Sequence, residues 1–333
     1  MLTTLAALPS NHALAIQLFF VLAVILGACR VVGVVGRWVG QPQVVSEMIA
    51  GVLLGPSLLG MLAPDVQASL FPASLMPILY VLAQVALALY MFTVGLEFRP
   101  DLLRQRIRGA VGISASGIVV PFALGAAGAV WLSEEPEFFA ANVSTAQAVL
   151  FTGAAMSITA FPMLARIIVE RGLAGTRVGT LALAAGSIDD AIAWCILAIV
   201  LASFRGEPKI ALFAIGGGFL YVIIAATLVR PIFARVNAAA ERNGSVTPAM
   251  FALVLTMLMV GAWFTDLIGI YAVFGAFILG VVIPRGMLTQ GLIRKIEPLT
   301  CALFLPMFFV YSGLNTRIAL QPRPSTTLTW STP

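Results

Sequence analysis

The chain has 333 residues, of which 60% are hydrophobic and 10% are charged, and its formal net charge is +5. Soluble domains carry about 25% charged residues, and a soluble fold of this length could not bury so much apolar surface. The composition therefore predicts an integral membrane protein. The basic residues lie between apolar runs rather than in one patch, which argues against nucleic-acid binding.

The inventory of metal-binding side chains is small. The sequence contains one histidine and three cysteines, and no two cysteines form a CxxC pair. Disulfides, zinc and haem therefore have no support, and no cofactor is expected. This inventory nearly excludes an enzyme that works through zinc or histidine.

Ten apolar runs are candidates for helices that cross a bilayer, which takes roughly 20 residues for about 30 Å. The runs are continuously apolar, whereas strands of a membrane barrel alternate over about ten residues. The sequence thus predicts an all-α polytopic membrane protein. The first run has no basic region before it and no cleavage site after it, so we interpret it as a span. The candidates are 14–36, 44–62, 76–97, 109–132, 146–170, 178–203, 209–230, 248–264, 267–284 and 298–316.

Basic residues follow every second span. They occur after the third, fifth, seventh and ninth spans, whereas the loop 133–145 is acidic. Cytoplasmic loops of membrane proteins carry an excess of lysine and arginine. We therefore expect the basic loops in the cytoplasm and the N-terminus outside.

Two pairs of spans resemble each other at an offset of about 220 residues. EMIAGVLLGPSLLG (47–60) and YAVFGAFILGVVIPRG (271–286) both space small residues along an apolar helix and end in Gly and Pro. The ends of the third and tenth spans align when Gly95 is matched with Gly313. The matched spans have opposite predicted orientations, and inverted repeats are typical of transporters. Chance recurrence of small-residue patterns is the alternative explanation.

The repeat predicts one membrane transport domain over residues 1–320. The first copy would cover about 44–203, a linking helix about 209–230, and a partial second copy about 267–317. Three spans of the first copy have no counterpart in the second. We expect residues 321–333 to be a polar tail, with a non-native or truncated end.

Two adjacent carboxylates, Asp189 and Asp190, lie about eleven residues into the sixth span. At 1.5 Å per residue they are roughly 17 Å deep, near the bilayer centre, where each costs at least about 2.5–3.5 kcal/mol. Such residues mark ion or proton paths, although one carboxylate could instead join helices. Because consecutive helical residues point about 100° apart, the two cannot face one ligand together. Spacing alone leaves open which one faces the ion.

The fifth span contains the polar stretch MSITAFPMLARII (156–168). Pro162 lacks a backbone donor and clashes with the carbonyl four residues back, so we expect a helix break. Ser157 and Thr159 offer oxygens to freed backbone groups or to an ion. A broken helix at membrane depth is tolerated where it lines a cavity. A simple proline kink is the alternative, which the neighbouring aspartates make less attractive.

The motifs together resemble the monovalent cation:proton antiporter superfamily, in its two-aspartate branch of Na⁺/H⁺ and K⁺/H⁺ antiporters. They occur in the family order and cover about residues 15–317. The matching stretches are QPQVVSEMIAGVLLGPSLLG (41–60), YMFTVGLEF (90–98), SITAFPMLARII (157–168), GSIDDAIAWCILA (186–198), YAVFGAFILGVVIP (271–284) and LPMFFVYSGL (305–314).

The resemblance implies an inverted-repeat antiporter fold of about thirteen helices, of which about ten are present here. Asp190 matches the carrier of cation and proton, and would bind the transported Na⁺ or K⁺ transiently together with Asp189. Asp189 matches a neighbour that forms a salt bridge with a lysine on a later helix. Ser157 and Thr159 lie in the first broken helix. By the repeat, that lysine and the second broken helix belong after the tenth span.

These observations predict a secondary antiporter that exchanges protons for a monovalent cation. Its partners would be the cation, the proton, the lipid bilayer and a second copy in a homodimer, in a bacterial inner (plasma) membrane. Two alternatives remain: a non-transporting truncated membrane protein, and a symporter or channel of the same inverted-repeat fold. Enzymatic activity is not expected.

Overall fold

A computed structural model describes residues 10–98, 107–133, 138–140, 143–173 and 176–316. Regular secondary structure in these residues is entirely helical. In chain order the helices are α1 (Ser10–Trp38), α2 (Gln43–Leu54), α3 (Leu59–Leu62), α4 (Pro64–Leu70), α5 (Met76–Glu97), α6 (Ile107–Leu132), α7 (Thr145–Ser157), α8 (Phe161–Glu170), α9 (Arg177–Arg205), α10 (Pro208–Ile224), α11 (Arg230–Asn243), α12 (Pro248–Leu267), α13 (Ala272–Val282), α14 (Met287–Leu299) and α15 (Leu305–Leu314).

Nine helical segments within the described residues are long and apolar enough to cross a membrane. They confirm the predicted polytopic α-helical fold. The predicted ninth span, 267–284, differs from the others because it contains only the 11-residue helix α13. Such a helix is about 16 Å long, which is shorter than the apolar layer. Before α13, residues 268–270 of that apolar run form a turn that contains Gly269.

Two other spans are longer than their apolar runs indicated. The seventh continues through a π-helical segment at Ala225–Val229 into α11, so its arginines lie on a helix rather than in a loop. The last begins at Met287 instead of 298 and passes Pro298 before a π-helical segment at Thr300–Phe304. Hydropathy marks the lipid-facing length of a helix, whereas backbone hydrogen bonding continues into polar sequence.

The chain divides into two compact units, one formed by residues 1–80 with 306–333 and the other by residues 81–305. The core of the first unit joins buried side chains of α1, α4–α5 and α15, including Val21, Leu75 and Val310. The larger core of the second unit joins α5 with α11–α14, including Phe92 and Leu258. Helices α6–α9 also belong to the second unit, and α9 contacts α6, α7, α8 and α10.

Helices cross closely at glycines in both units. In the first unit, a Cβ added at Gly51 would lie 2.7 Å from Val310 Cα and 3.0 Å from Gly313 Cα. In the second unit, a Cβ added at Gly95 would lie 3.0 Å from Gly280 Cα. Helix α2 thus meets α15, and α5 meets α13, at distances that only glycine permits.

These crossings involve the four spans that the sequence pairs as repeats. Each crossing joins one helix from the first copy to one from the second copy, and the aligned glycines Gly95 and Gly313 both lie at a contact. The repeat stays a prediction, which this matched pairing favours. The predicted polar tail, 321–333, lies outside the described residues, as do Arg99, Arg104, Arg106, Glu134, Glu135 and Glu137.

Candidate functional site

The break in the fifth span lies between α7 and α8. Helix α7 begins at a capping box formed by Ser144 and Gln147 and ends at Ser157. Residues 158–160 are non-helical, and α8 begins at Phe161 with Pro162 in its first turn. Ile158 has an extended conformation (φ −73°, ψ 120°), which separates its carbonyl from the proline ring that would clash with it in a continuous helix.

Asp189 and Asp190 lie near the midpoint of the 29-residue helix α9. At 1.5 Å per residue, each carboxylate is about 20 Å from either end of this helix. The helix is apolar enough to span a bilayer by length and composition. The pair is therefore positioned near the middle of a membrane crossing.

Contacts of α6 place the break beside this pair. A Cβ added at Gly117 would lie 3.7 Å from Asp189 Oδ2, so α6 passes Asp189 at this point. Eight residues further along, Gly125 faces Thr152 and Gly153 of α7. Helices α6 and α7 are consecutive crossings and run in opposite directions. The chain eight residues after Thr152, at position 160, therefore lies near the level of Gly117. That position is the break.

The two carboxylates have different surroundings. Asp189 is 8% exposed, and no described residue donates a hydrogen bond to its buried Oδ1. Asp190 is partly exposed, and its Oδ2 accepts a hydrogen bond of 3.3 Å from the indole Nε1 of Trp194. The structure therefore turns Asp189 toward α6 and Asp190 toward Trp194, as the 100° helical step requires.

The two hydroxyls of the fifth span also differ. Ser157 is buried, and its Oγ donates to the Ala154 carbonyl at 3.1 Å. Thr159 is exposed within the non-helical segment. Among the described residues, no hydrogen bond joins either hydroxyl to an aspartate. Thr159 is thus free to turn toward a ligand, whereas Ser157 already bonds to its own helix.

Helix α8 is held on the far side of the break from α7. Arg166 Nε contacts Glu170 Oε1 at 2.6 Å, and Arg166 Nη1 donates to Cys301 Sγ at 2.7 Å. Phe161 packs edge-to-face on Phe277, with ring centroids 5.5 Å apart. The contacts of Arg166 with Cys301 and of Phe161 with Phe277 attach α8 to the π-helical segment Thr300–Phe304 and to α13.

Lys295 does not serve as the lysine partner that the resemblance implies for Asp189. Its Nζ donates to the Val246 carbonyl at 2.9 Å and lies 5.4 Å from the centre of the Phe251 ring. The lysine that the resemblance implies after the tenth span stays a prediction.

Asp190, Thr159 and the carbonyls of residues 158–160 carry oxygen atoms that can bind a cation. Carboxylate, hydroxyl and freed carbonyl oxygens are the ligands that hard cations prefer. Among the described residues, no three His, Cys, Asp or Glu side chains cluster as a metal site would require. A single carboxylate with neutral oxygens nearby binds a proton or a cation in turn.

Sequence reasoning missed Trp194 and Gly117. Trp194 follows Asp190 by four residues, which places it one turn away on the same helical face. An indole at that spacing is a donor that could have been recognised from the sequence. The contact with Gly117 could not, because it depends on how α6 packs against α9.

Comparison with known proteins gives the same answer as the motifs. Residues 11–330 match the family model described as "Sodium/hydrogen exchanger, transmembrane". The chain belongs to the sodium/hydrogen exchanger family. This match confirms the predicted superfamily. Its members are membrane transporters rather than enzymes.

Three named relatives illustrate the range of this family. The chain is 39% identical over 306 residues to Na(+)/H(+) antiporter NhaS4 of Synechocystis, covering 90% of this chain and 74% of that protein. It is 36% identical to Cation/H(+) antiporter 18 of Arabidopsis thaliana, covering 93% of this chain and 38% of that protein. It is 32% identical to K(+)/H(+) antiporter 1 of Saccharomyces cerevisiae, covering 90% and 35%. The chain thus spans little more than a third of the plant and yeast relatives.

Proposed function

We propose that this protein is an antiporter that exchanges protons for a monovalent cation, Na⁺ or K⁺, at Asp190. The observation that carries the proposal is a partly exposed carboxylate at the middle of a membrane helix, level with a break in the neighbouring helix. A membrane-buried carboxylate is costly and is usually retained for ion or proton movement. The named relatives exchange Na⁺, K⁺ or cations for H⁺, which supports the same chemistry here.

Competition for one carboxylate accounts for the exchange. When Asp190 releases its proton, the negative charge attracts a cation, and Thr159 with the carbonyls of the break replaces part of its hydration shell. When a proton returns, the carboxyl is neutral and the cation leaves. Because the two ligands exclude each other, each passage in one direction requires the other in reverse.

Asp189 has a supporting role in this scheme. Its burial against α6 keeps it away from the cation path, while its charge strengthens the local attraction for cations. Pro162 maintains the break. Ser157 is the last residue of α7, where its hydroxyl donates to the Ala154 carbonyl. We further propose a homodimer in a bacterial inner membrane. The distribution of basic residues supports an N-terminus outside.

The test is cation-driven proton flux. The chain is reconstituted in acid-loaded liposomes containing a pH-sensitive dye, and Na⁺ or K⁺ is added outside. We expect alkalinisation of the interior with at least one of the two cations. Asp190→Asn should reduce the flux at least about 100-fold, because the amide carries no charge for a cation to neutralise.

Asp65→Asn is the matched control, since Asp65 is an exposed carboxylate in α4. This variant should transport like the unchanged protein. Equal flux in Asp190→Asn and Asp65→Asn would reject Asp190 as the carrier. Absence of flux from the unchanged chain would favour the non-transporting alternative, and cation uptake without proton release would favour a symporter or channel.

A further inference from the structure

An aromatic pair lies directly beside Asp190. Trp194 is one turn further along α9, and its indole Nε1 donates to Asp190 Oδ2 at 3.3 Å. The same indole stacks on Tyr271, with ring centroids 4.4 Å apart and an angle of 24° between the planes. The candidate carrier is thus connected through one side chain to the turn before α13.

Tyr271 has an unusual backbone. Its φ of 46° is the only positive φ of a non-glycine residue among those described, and it directly precedes α13. The turn is supported by Gly269 (φ 85°) and by Asp266, whose Oδ1 accepts from Ala272 N at 3.3 Å. Non-glycine residues with such backbones are strained, persist only where surrounding contacts hold them, and cluster at functional sites.

Apolar packing fixes the orientation of the indole. Trp194 packs against a small buried cluster of α9, α10 and the turn, which contains Ala198, Ala214 and Ile270. A stacked and packed ring has few alternative rotamers. Its N–H therefore stays directed at Asp190 instead of turning away.

We propose that Trp194 is a positioning residue of the cation site, which rests on the function proposed above. The indole N–H occupies Asp190 Oδ2 and leaves Oδ1 for the transported cation. A donated hydrogen bond stabilises a charged carboxylate more than a protonated one. Trp194 thus favours the cation-bound carboxylate in its competition with the proton, and Tyr271 holds the donor in place.

The first test compares substitutions that separate the donor from the ring. Trp194→Phe keeps a ring that stacks on Tyr271 but removes the N–H. We expect KM for the cation to rise about tenfold, because a hydrogen bond to a charged group contributes about this factor. The maximal rate should stay within about twofold, since the carrier itself is intact. An unchanged KM would overturn the proposal.

Tyr271 supplies the matched controls. Tyr271→Phe keeps the stack and should leave KM unchanged, whereas Tyr271→Leu removes the ring and should raise KM about threefold. If Trp194→Phe and Tyr271→Phe raise KM equally, general packing explains the effect and the positioning role is wrong. These outcomes require that the unchanged protein exchanges cations.

A spectroscopic test does not depend on transport. The sequence has five tryptophans, so the ultraviolet Raman spectrum of the detergent-purified protein minus that of Trp194→Phe isolates Trp194. We expect its N–H-sensitive band to shift in Asp190→Ala and to stay unchanged in Asp65→Asn. No shift in Asp190→Ala overturns the positioning contact. A shift in a protein that lacks exchange would reject the proposed function and leave the contact standing.

Discussion

The second unit contains two regions that use small and polar residues in opposite ways. At the α5–α13 crossing, Gly95 and Gly280 bring two regular helices together with backbone against backbone. Around Asp190, the chain instead interrupts a helix, buries a second carboxylate and strains the backbone at Tyr271. The first arrangement stabilises the fold, and the second costs stability.

This difference separates scaffold from site. Close glycine contacts maximise helix packing in lipid, where no hydrophobic effect drives helices together. Buried charge and broken backbone are unfavourable in lipid and are retained where they line an ion path. Substitutions in the first region should therefore impair folding, whereas those in the second should impair exchange in a protein that still folds.

The largest expected effect is at the crossing. Gly95→Ala places a methyl group against the backbone of α13, which cannot move aside, and should lower stability by about 1–3 kcal/mol. Thermal unfolding in detergent would measure this loss. Gly112→Ala is the control, because a Cβ added there meets no atom within 4 Å. Equal melting temperatures for the two variants would contradict the assignment of the crossing as scaffold.

Asp189→Asn tests the asymmetry between the two carboxylates. Asn has the same shape and removes only the charge, while Asp190 stays in place. We expect exchange to fall about tenfold, because a neighbouring negative charge strengthens cation binding. The liposome assay used for Asp190→Asn measures it. Complete loss of flux would show that Asp189 is itself a carrier.

Thr159→Val should have a smaller effect on exchange. The exposed hydroxyl is lost without a change of shape, so KM for the cation should rise about threefold to tenfold while the melting temperature stays unchanged. Ser157→Ala should change KM by less than about twofold, because that hydroxyl bonds to Ala154. A larger rise in KM for Ser157→Ala than for Thr159→Val would show that Ser157 contributes more to cation binding than Thr159.

Gly117→Ala should have the smallest effect. An added Cβ would lie 3.7 Å from Asp189 Oδ2, which is ordinary van der Waals contact. Exchange should stay within about twofold, and unfolding should be unaffected. A strong loss of exchange would mean that Asp189 needs the space beside α6 during transport.

The sequence predicted the elements of the site more reliably than their contacts. Pro162 predicted the break because the effect of a proline on a helix is local. The apolar run around Asp189 and Asp190 predicted that both lie far from the helix ends, and they are near the midpoint of α9. The short helix α13 was missed, since an apolar turn and an apolar helix look alike to hydropathy. Arg230 and Arg242 were placed in a loop because charge ends an apolar run without ending a helix.

The sequence by itself determined the membrane class, the approximate crossings, the two-aspartate motif and the family. Each depends on composition, on spacing along one helix, or on the order of short motifs along the chain. Only the tertiary structure decided that Trp194 stacks on Tyr271 and that Asp189 faces Gly117. Those contacts join residues up to about 80 positions apart, and helix packing sets them because a helical pattern specifies a face and not the partner that covers it.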